Sequence, residues 1–312
     1  MSDNASAPLV VVAAGGTGGH LFPAEALSVA LHERGAIVDL ATDERAKRYG
    51  AAFPARTTHI IPSATLRKND PRTYITAPLS IAKGVLQGRD LLRRLRPAAV
   101  IGFGGYPTVP PVLSACWLGV PTLIHEQNGV LGRANRLLAP FVHVIATGFP
   151  GVLDSRPKLA AKGVVTGNPI RPAVVAASQI PFSLPDSGPF KLVVFGGSQG
   201  ARVMADVVPA AVELLPEAVR ARLSIVQQAR DEDLPRVRDT YVRLSVAAEV
   251  APFFSDMPAR IAAGHLVVSR AHGFRQEFNR GRHHVRHHPC ALAAAEHDQL
   301  EWSRIRQRKR NL

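Results

Sequence analysis

Apolar residues along this chain gather in short runs of strand length, separated by segments long enough for a helix. Residues 9–14 (Leu-Val-Val-Val-Ala-Ala) are the first run, and 36–41, 99–103, 121–125 and 142–146 repeat the pattern. Between the first two, Pro23 to Arg34 reads as a helix, with a proline near its start and Gly35 just past its end. Strands alternating with helices predict a parallel, doubly wound sheet. Residues 164–172 close this half, and the stretch to Pro189 is rich in proline and serine, as a linker would be. A second series opens at 191–195 and continues through 223–227, 247–250 and 264–269; from Ala271 onward neither period persists. The expectation is an α/β chain of two Rossmann-like, doubly wound parallel-sheet domains, the second incomplete. A first domain spans 1–165, a linker 166–189, a partial second domain 190–270, and a basic, histidine-rich tail 271–312.

Each half opens with a glycine-rich turn directly after its first strand: Gly15-Gly16-Thr17-Gly18-Gly19-His20 and Gly196-Gly197-Ser198-Gln199-Gly200-Ala201. Glycine lets backbone N–H groups approach an anion, and the helix that follows presents its positive end. The plainer reading is a tight strand–helix turn with no ligand. No phase of the first turn gives the dinucleotide spacing Gly-x-Gly-x-x-Gly, and no phosphate loop ending in Gly-Lys-Ser/Thr occurs anywhere. Asp39 does lie about twenty residues on, where a nicotinamide enzyme would hold ribose. An NAD-dependent oxidoreductase therefore stays open as a weaker alternative.

His20, at the exit of the first turn, is the candidate general base, because an imidazole titrates near neutrality and can take a proton from an attacking hydroxyl. Gly104, Gly105 and Tyr106 form another glycine turn at a strand end, on the same sheet edge if the sheet is parallel. His125-Glu126-Gln127-Asn128 ends the next strand, and polar residues straight after an apolar run mark a site at the carboxyl ends of the strands, or else a capped helix start.

Charge narrows the class of partner. Lys plus Arg is 38 against 24 Asp plus Glu, a net charge of +14, which favours an anionic partner. Residues 66–96 mix Leu79, Leu86, Leu91 and Leu92 with Arg67, Lys68, Lys83, Arg89, Arg93 and Arg94, the composition of a peripheral surface for an anionic leaflet or of a helix packed on its sheet. No apolar run is long enough to span a bilayer, and the first eight residues lack the basic segment and apolar core of a signal peptide. With Cys116 and Cys290 alone, neither a disulfide framework nor a cysteine zinc site is expected. Nucleic acid is disfavoured, since the body carries no matching motif and part of the charge excess sits in the tail.

Taken in order, Gly-Gly-Thr-Gly-Gly-His, Gly-Gly-Tyr, His-Glu-Gln-Asn, Gly-Asn-Pro-Ile-Arg and Gly-Gly-Ser-Gln-Gly-Ala resemble the MurG family over about residues 10–270. That family moves N-acetylglucosamine from UDP-GlcNAc to the undecaprenyl-pyrophosphoryl-MurNAc-pentapeptide (lipid I), giving lipid II for peptidoglycan. The resemblance implies a glycosyltransferase-B fold and an inverting mechanism with no catalytic metal and no cofactor. It implies UDP-GlcNAc contacts at Thr17, Gly18, Gly19, Asn128, Arg171, Ser198 and Phe254. It implies a cradle for the acceptor pyrophosphate at Gly15, Gly16, Gly104, Gly105 and Tyr106, with His20 deprotonating the acceptor 4-hydroxyl and Glu126 assisting. Its partners would be UDP-GlcNAc, lipid I and the anionic surface of the inner membrane, on whose cytoplasmic face the protein would sit peripherally, with no nucleic acid.

The pattern breaks after Ser269-Arg270. The family's Ser-Arg-Ser-Gly-Ala-x-Thr-x-x-Glu is replaced by Ala271-His272-Gly273-Phe274-Arg275-Gln276-Glu277, so Glu277 is not carried over as a ribose ligand, nor Gln299 as a donor residue. A shifted reading frame is the expectation: dropping one base permits Val-Ile-Ile-Leu-Val-Pro-Leu in place of residues 286–292, a buried strand for this position. Other readings of the tail are a basic arm or a metal site at His283, His284, His287 and His288. The alternative to a working transferase is a catalytically impaired, membrane-associated binding remnant.

Overall fold

The computed structural model describes residues 7–15, 17–44, 53–64, 73–183, 185, 188–197 and 200–269. Gly16, Ser198 and the tail with its histidines and the expected frame shift lie outside the described residues. The chain divides into two compact units that meet in sequence at Pro172 and Ala173.

The first unit is built on seven parallel strands: β1 (Leu9–Ala13), β2 (Ile37–Thr42), β3 (Thr57–Ile60), β4 (Ala99–Gly102), β5 (Thr122–Glu126), β6 (Val144–Thr147) and β7 (Gly163–Val165), in the order β3-β2-β1-β4-β5-β6-β7. Every described pairing in it is parallel, with Val11 opposite both Asp39 and Val100. Strand β1 is apolar on both faces because both are covered. Val11 and Ala13 pack with Val100, Val112, Ile124 and Ile145 on one side. Val10, Val12 and Ala14 pack with Leu21, Ala24, Leu40 and Phe103 on the other. The order reverses between β1 and β4, the switch point outside which open α/β sheets bind ligands.

Helix α1 covers Gly18–Glu33, beginning at Gly18 rather than at Pro23. Thr17, in extended conformation, is its N-cap, so Pro23 lies inside the helix and His20 in its first turn. The apolar positions Leu21 and Ala24 explain the earlier start, since both are buried against β1 and Phe103. Strand β3 has no apolar run to reveal it: Thr-Thr-His-Ile is a mostly exposed edge strand paired to β2 alone. Helix α2 (Thr73–Leu95) packs on α3 (Val109–Trp117).

Asp39 has a structural role. Its buried carboxylate accepts two hydrogen bonds from the Arg56 guanidinium, both 2.9 Å, and one from His59 Nε2 at 2.8 Å. Both oxygens are thus committed within β2, β3 and the residue leading into β3.

The second unit carries four parallel strands in the order β10-β9-β8-β11: β8 (Phe190–Phe195), β9 (Leu223–Gln228), β10 (Ala247–Ala251) and β11 (Leu266–Ser269). Leu192, Val194, Ile225, Val237 and Tyr241 form its core. Helix α5 (Pro157–Ala160) lies between β6 and β7 of the first unit, and α6 (Pro172–Ser178), after β7, occupies part of the stretch read as a linker.

The Asp39 cluster yields a stability prediction. Burial alone would push the Asp39 carboxyl up, but the hydrogen bonds and charges of Arg56 and His59 outweigh it and hold the group below the ordinary carboxylate value. A carboxyl depressed in the folded state stabilises the fold above its unfolded pKa of about 4, and that contribution is lost as pH falls through the folded value. Arg56→Leu is expected to lower stability at pH 7, since it takes two hydrogen bonds from the buried Asp39 carboxylate. The difference from wild type should shrink below about pH 4, as read by urea unfolding at both pH values.

Candidate active site

Strands β1, β4 and β5 end side by side, and the loops leaving them bring His20, Gly104, Gly105 and the 125–128 segment together. The wall beside His20 is made of two glycines with left-handed backbone, Gly104 at φ +87° and Gly105 at φ +78°. A Cβ on Gly104 would lie 3.2 Å from both Cε1 and Nδ1 of His20, and one on Gly105 would lie 2.8 Å from the Gly15 carbonyl oxygen and 3.3 Å from His20 Cδ2. Only a residue without a side chain gives both this backbone and this approach. The turn is tied to β1 by Thr108, whose hydroxyl lies 2.6 Å from the Gly104 carbonyl and 3.3 Å from that of Ala13. Tyr106 follows at the start of a 3-10 turn, Tyr106–Thr108.

At the end of β5, Glu126 is 1% exposed, and both its oxygens are occupied. Oε1 accepts from the Asn128 backbone N–H (3.1 Å) and from Asn128 Nδ2 (2.8 Å). Oε2 accepts from the Gly132 N–H (2.8 Å) and from Asn135 Nδ2 (2.9 Å), on helix α4 (Arg133–Leu138). A carboxylate so enclosed organises the loop that carries Asn128.

His125 is buried beside Phe103, the two rings 5.5 Å apart. Burial pushes its imidazole below the ordinary histidine value, against the opposing effects of its bond to the Gly167 carbonyl (2.9 Å) and of the Glu126 charge. The segment after β7 is held here a second time, by Asn168 Nδ2 donating to the Gln127 carbonyl at 3.3 Å. Further along, the Arg171 guanidinium lies 4.0 Å from the centre of the Phe22 ring, with Glu25 at 3.9 Å. It is therefore placed on α1, one turn from His20.

Thr17, Gly18 and Gly19 form the N-terminal end of α1, Gly19 exposed. Gly15 is buried against Thr42 and Pro107. In the second unit, the turn after β8 needs Gly196, since a Cβ there would fall 2.4 Å from the Ala201 backbone nitrogen. Helix α7 (Arg202–Glu213) starts from that turn. Phe254 is buried under the Arg260 guanidinium, 4.4 Å from its ring centre.

Three side chains are central to this geometry: His125 and Gln127, which the sequence places in the site motif without a role of their own, and Asn135, which it does not single out. The alternation of an extended chain was the available signal. It sends His125 and Gln127 to one side and Glu126 and Asn128 to the other.

Comparison with known proteins agrees with this architecture. Residues 10–147 match the glycosyltransferase family 28 N-terminal domain and residues 191–272 the glycosyltransferase family 28 C-terminal domain, which defines the class. The UDP-N-acetylglucosamine–N-acetylmuramyl-(pentapeptide) pyrophosphoryl-undecaprenol N-acetylglucosamine transferase of Rhodopseudomonas palustris strain BisB18 is 56% identical over 266 residues, 85% of this chain and 71% of that protein. The transferase of the same name from Nitrobacter winogradskyi is 53% identical over 267 residues, 85% of this chain and 73% of its own length. The crystal structure of Acinetobacter baumannii MurG superimposes with a TM-score of 0.60 at 27% identity, covering 85% of this chain and 74% of that one. A UDP-GlcNAc 2-epimerase from Neisseria meningitidis, TM-score 0.54 at 16% identity over 84% of this chain and 77% of that one, shares the fold. The chain belongs to the MurG family of N-acetylglucosamine transferases.

Truncating Glu126 to Ala should leave the Asn128 and Gly132 amides without their acceptor and take one of two acceptors from Asn135 Nδ2. A loss of about 3 kcal/mol in denaturant unfolding is expected, against a smaller loss for Glu126→Gln, which keeps one oxygen.

Proposed function

We propose that this protein transfers N-acetylglucosamine from UDP-GlcNAc to the 4-hydroxyl of the MurNAc residue of undecaprenyl-pyrophosphoryl-MurNAc-pentapeptide, with inversion at the sugar. The observation that carries the reading is the His20 imidazole, set in the first turn of α1 against Gly104 and Gly105 at the switch point, in a chain of this family. His20 takes the proton of the attacking hydroxyl as the bond to the anomeric carbon forms and the bond to UDP breaks. The backbone of Gly15, Gly16, Gly104 and Gly105, with Tyr106, cradles the acceptor pyrophosphate. Thr17, Gly18, Gly19, Asn128, Arg171, Ser198 and Phe254 hold the donor. The turn after β8 sets the N-terminus of α7 against the charge that develops on the leaving diphosphate. Glu126 acts by holding Asn128 in place, since its own oxygens are taken.

The same reading puts the protein on the cytoplasmic face of the cell membrane. Among the described residues no helix is long and apolar enough to cross a bilayer. The outer face of α2 and the end of α3 expose Leu79 (66%), Leu86 (53%) and Trp117 (61%). Lys83, Arg93 and Arg94 are exposed on the same helix, and Arg89 lies 4.9 Å from the centre of the Trp117 ring. Apolar side chains rimmed by cations suit an anionic leaflet that carries a lipid-borne acceptor.

Two measurements test this. In a transfer assay with UDP-GlcNAc and lipid I, His20→Ala should lower kcat by about 10²–10⁴-fold with little change in the KM for donor; wild-type protein with no transfer would sink the reading. In sedimentation with vesicles containing phosphatidylglycerol, Lys83→Glu/Arg93→Glu should weaken binding by roughly 1 kcal/mol or more per side chain, and binding of wild type should fall with salt.

A further inference from the structure

A run of side-chain hydrogen bonds at the end of β5 is anchored on two backbone carbonyls, and this fixes every proton along it. Gln127 Nε2 lies 3.0 Å from the His125 carbonyl oxygen, an atom that only accepts. The edge of the amide facing it is therefore the NH2, because a flipped amide would set two oxygens against each other. The same NH2 lies 3.1 Å from His125 Nδ1, so that ring nitrogen is the acceptor and the His125 proton sits on Nε2. Nε2 in turn lies 2.9 Å from the Gly167 carbonyl oxygen, again an atom that only accepts. The remaining atom of the Gln127 amide, Oε1, faces His20 Nδ1 at 3.3 Å. An amide oxygen cannot donate, so His20 Nδ1 carries the hydrogen. The lone pair is left on His20 Nε2, which no described residue engages.

We propose that Gln127 is the positioning residue for His20: it holds the imidazole in the Nδ1–H tautomer with Nε2 as its basic nitrogen. Its own orientation is locked by His125 and, through His125, by the Gly167 carbonyl. A free imidazole side chain prefers its proton on Nε2, so the arrangement selects the less common form and leaves Nε2 as the basic nitrogen. The Gly104–Gly105 wall fixes the plane of the ring, and Gln127 fixes which nitrogen is bare. A neutral amide suits this position because it orients the ring without placing a second negative charge beside a pyrophosphate. A general base in the wrong tautomer cannot accept the proton, and the loss is of orders of magnitude in comparable dyads.

The proposal rests on the reading of His20 as the base, so its test uses a readout that needs no turnover. Imidazole 15N resonances of the full chain are recorded by long-range 1H–15N correlation, His20 being identified by the signals lost in His20→Gln. Wild type is expected to show a protonated Nδ1 and a bare Nε2 at His20. Gln127→Met, of the same length with only a weakly accepting sulfur in place of the amide oxygen, is expected to move the proton to Nε2 while His125 keeps its own on Nε2. In the transfer assay Gln127→Met should lower kcat on the order of 10- to 100-fold, with the KM for UDP-GlcNAc unchanged. A wild-type His20 protonated on Nε2, or a His20 tautomer unmoved by Gln127→Met, overturns the proposal. Wild-type protein that shows the Nδ1–H tautomer, shifted by Gln127→Met, yet transfers no sugar supports the positioning role and overturns the transferase reading instead.

Discussion

Burying a carboxylate is costly unless donors meet it, and the donors that meet Glu126 are what give the site its shape. Two of the four come from Asn128, one from the Gly132 amide and one from Asn135 on α4. Asn135 Nδ2 also reaches the His125 carbonyl at 3.0 Å, and that carbonyl receives the Gln127 amide. The eleven residues from His125 to Asn135 are thereby closed into one polar unit. His20 borders it through Gln127, and the Gly104 turn lies against Asn135. Its two longer side chains, Glu126 and Gln127, are each fixed by several hydrogen bonds. Each group is held from a strand end, a helix start or a glycine whose φ no other residue adopts readily.

The sheet explains why these pieces meet. Loops after β1, β4 and β5 converge because the strands are parallel neighbours and the order reverses between β1 and β4. Asp39, which a nucleotide-binding enzyme of another kind would turn toward ribose, is committed to Arg56 and His59. The second unit repeats the strand–glycine turn–helix device with β8 and α7, and its own order reverses between β8 and β11. Each unit thus presents a helix N-terminus at a switch point, the arrangement that suits a reaction with an anionic group on both substrates.

Much of the fold is legible in the chain because buried parallel strands read as continuous apolar runs. Leu9–Ala13, Ala99–Gly102 and Thr122–Glu126 stand within a residue or two of where the runs place them. The early start of α1 is not legible: Gly18 and Gly19 are poor helix formers, and only the packing of Leu21 and Ala24 draws the first turn into the helix. Edge strand β3 is hidden as well, because Thr57 and Thr58 face solvent and carry no apolar signal. The motif His125–Asn128 is visible in the sequence, but the division of labour within it is not. Glu126 is expected there to assist the acceptor; its four hydrogen bonds come from positions up to nine residues away, and only the fold brings those donors in.

On the proposed function, transfer turns on His20 as the group whose protonation controls it. The most direct measurement is the pH dependence of kcat/KM for sugar transfer, compared between wild type and His20→Gln. The wild-type profile should fall on the acid side along a single ionisation, and His20→Gln, slow at every pH, should lack that limb. An acid limb of the same midpoint in both proteins would contradict this role for His20, because another group would then be the base.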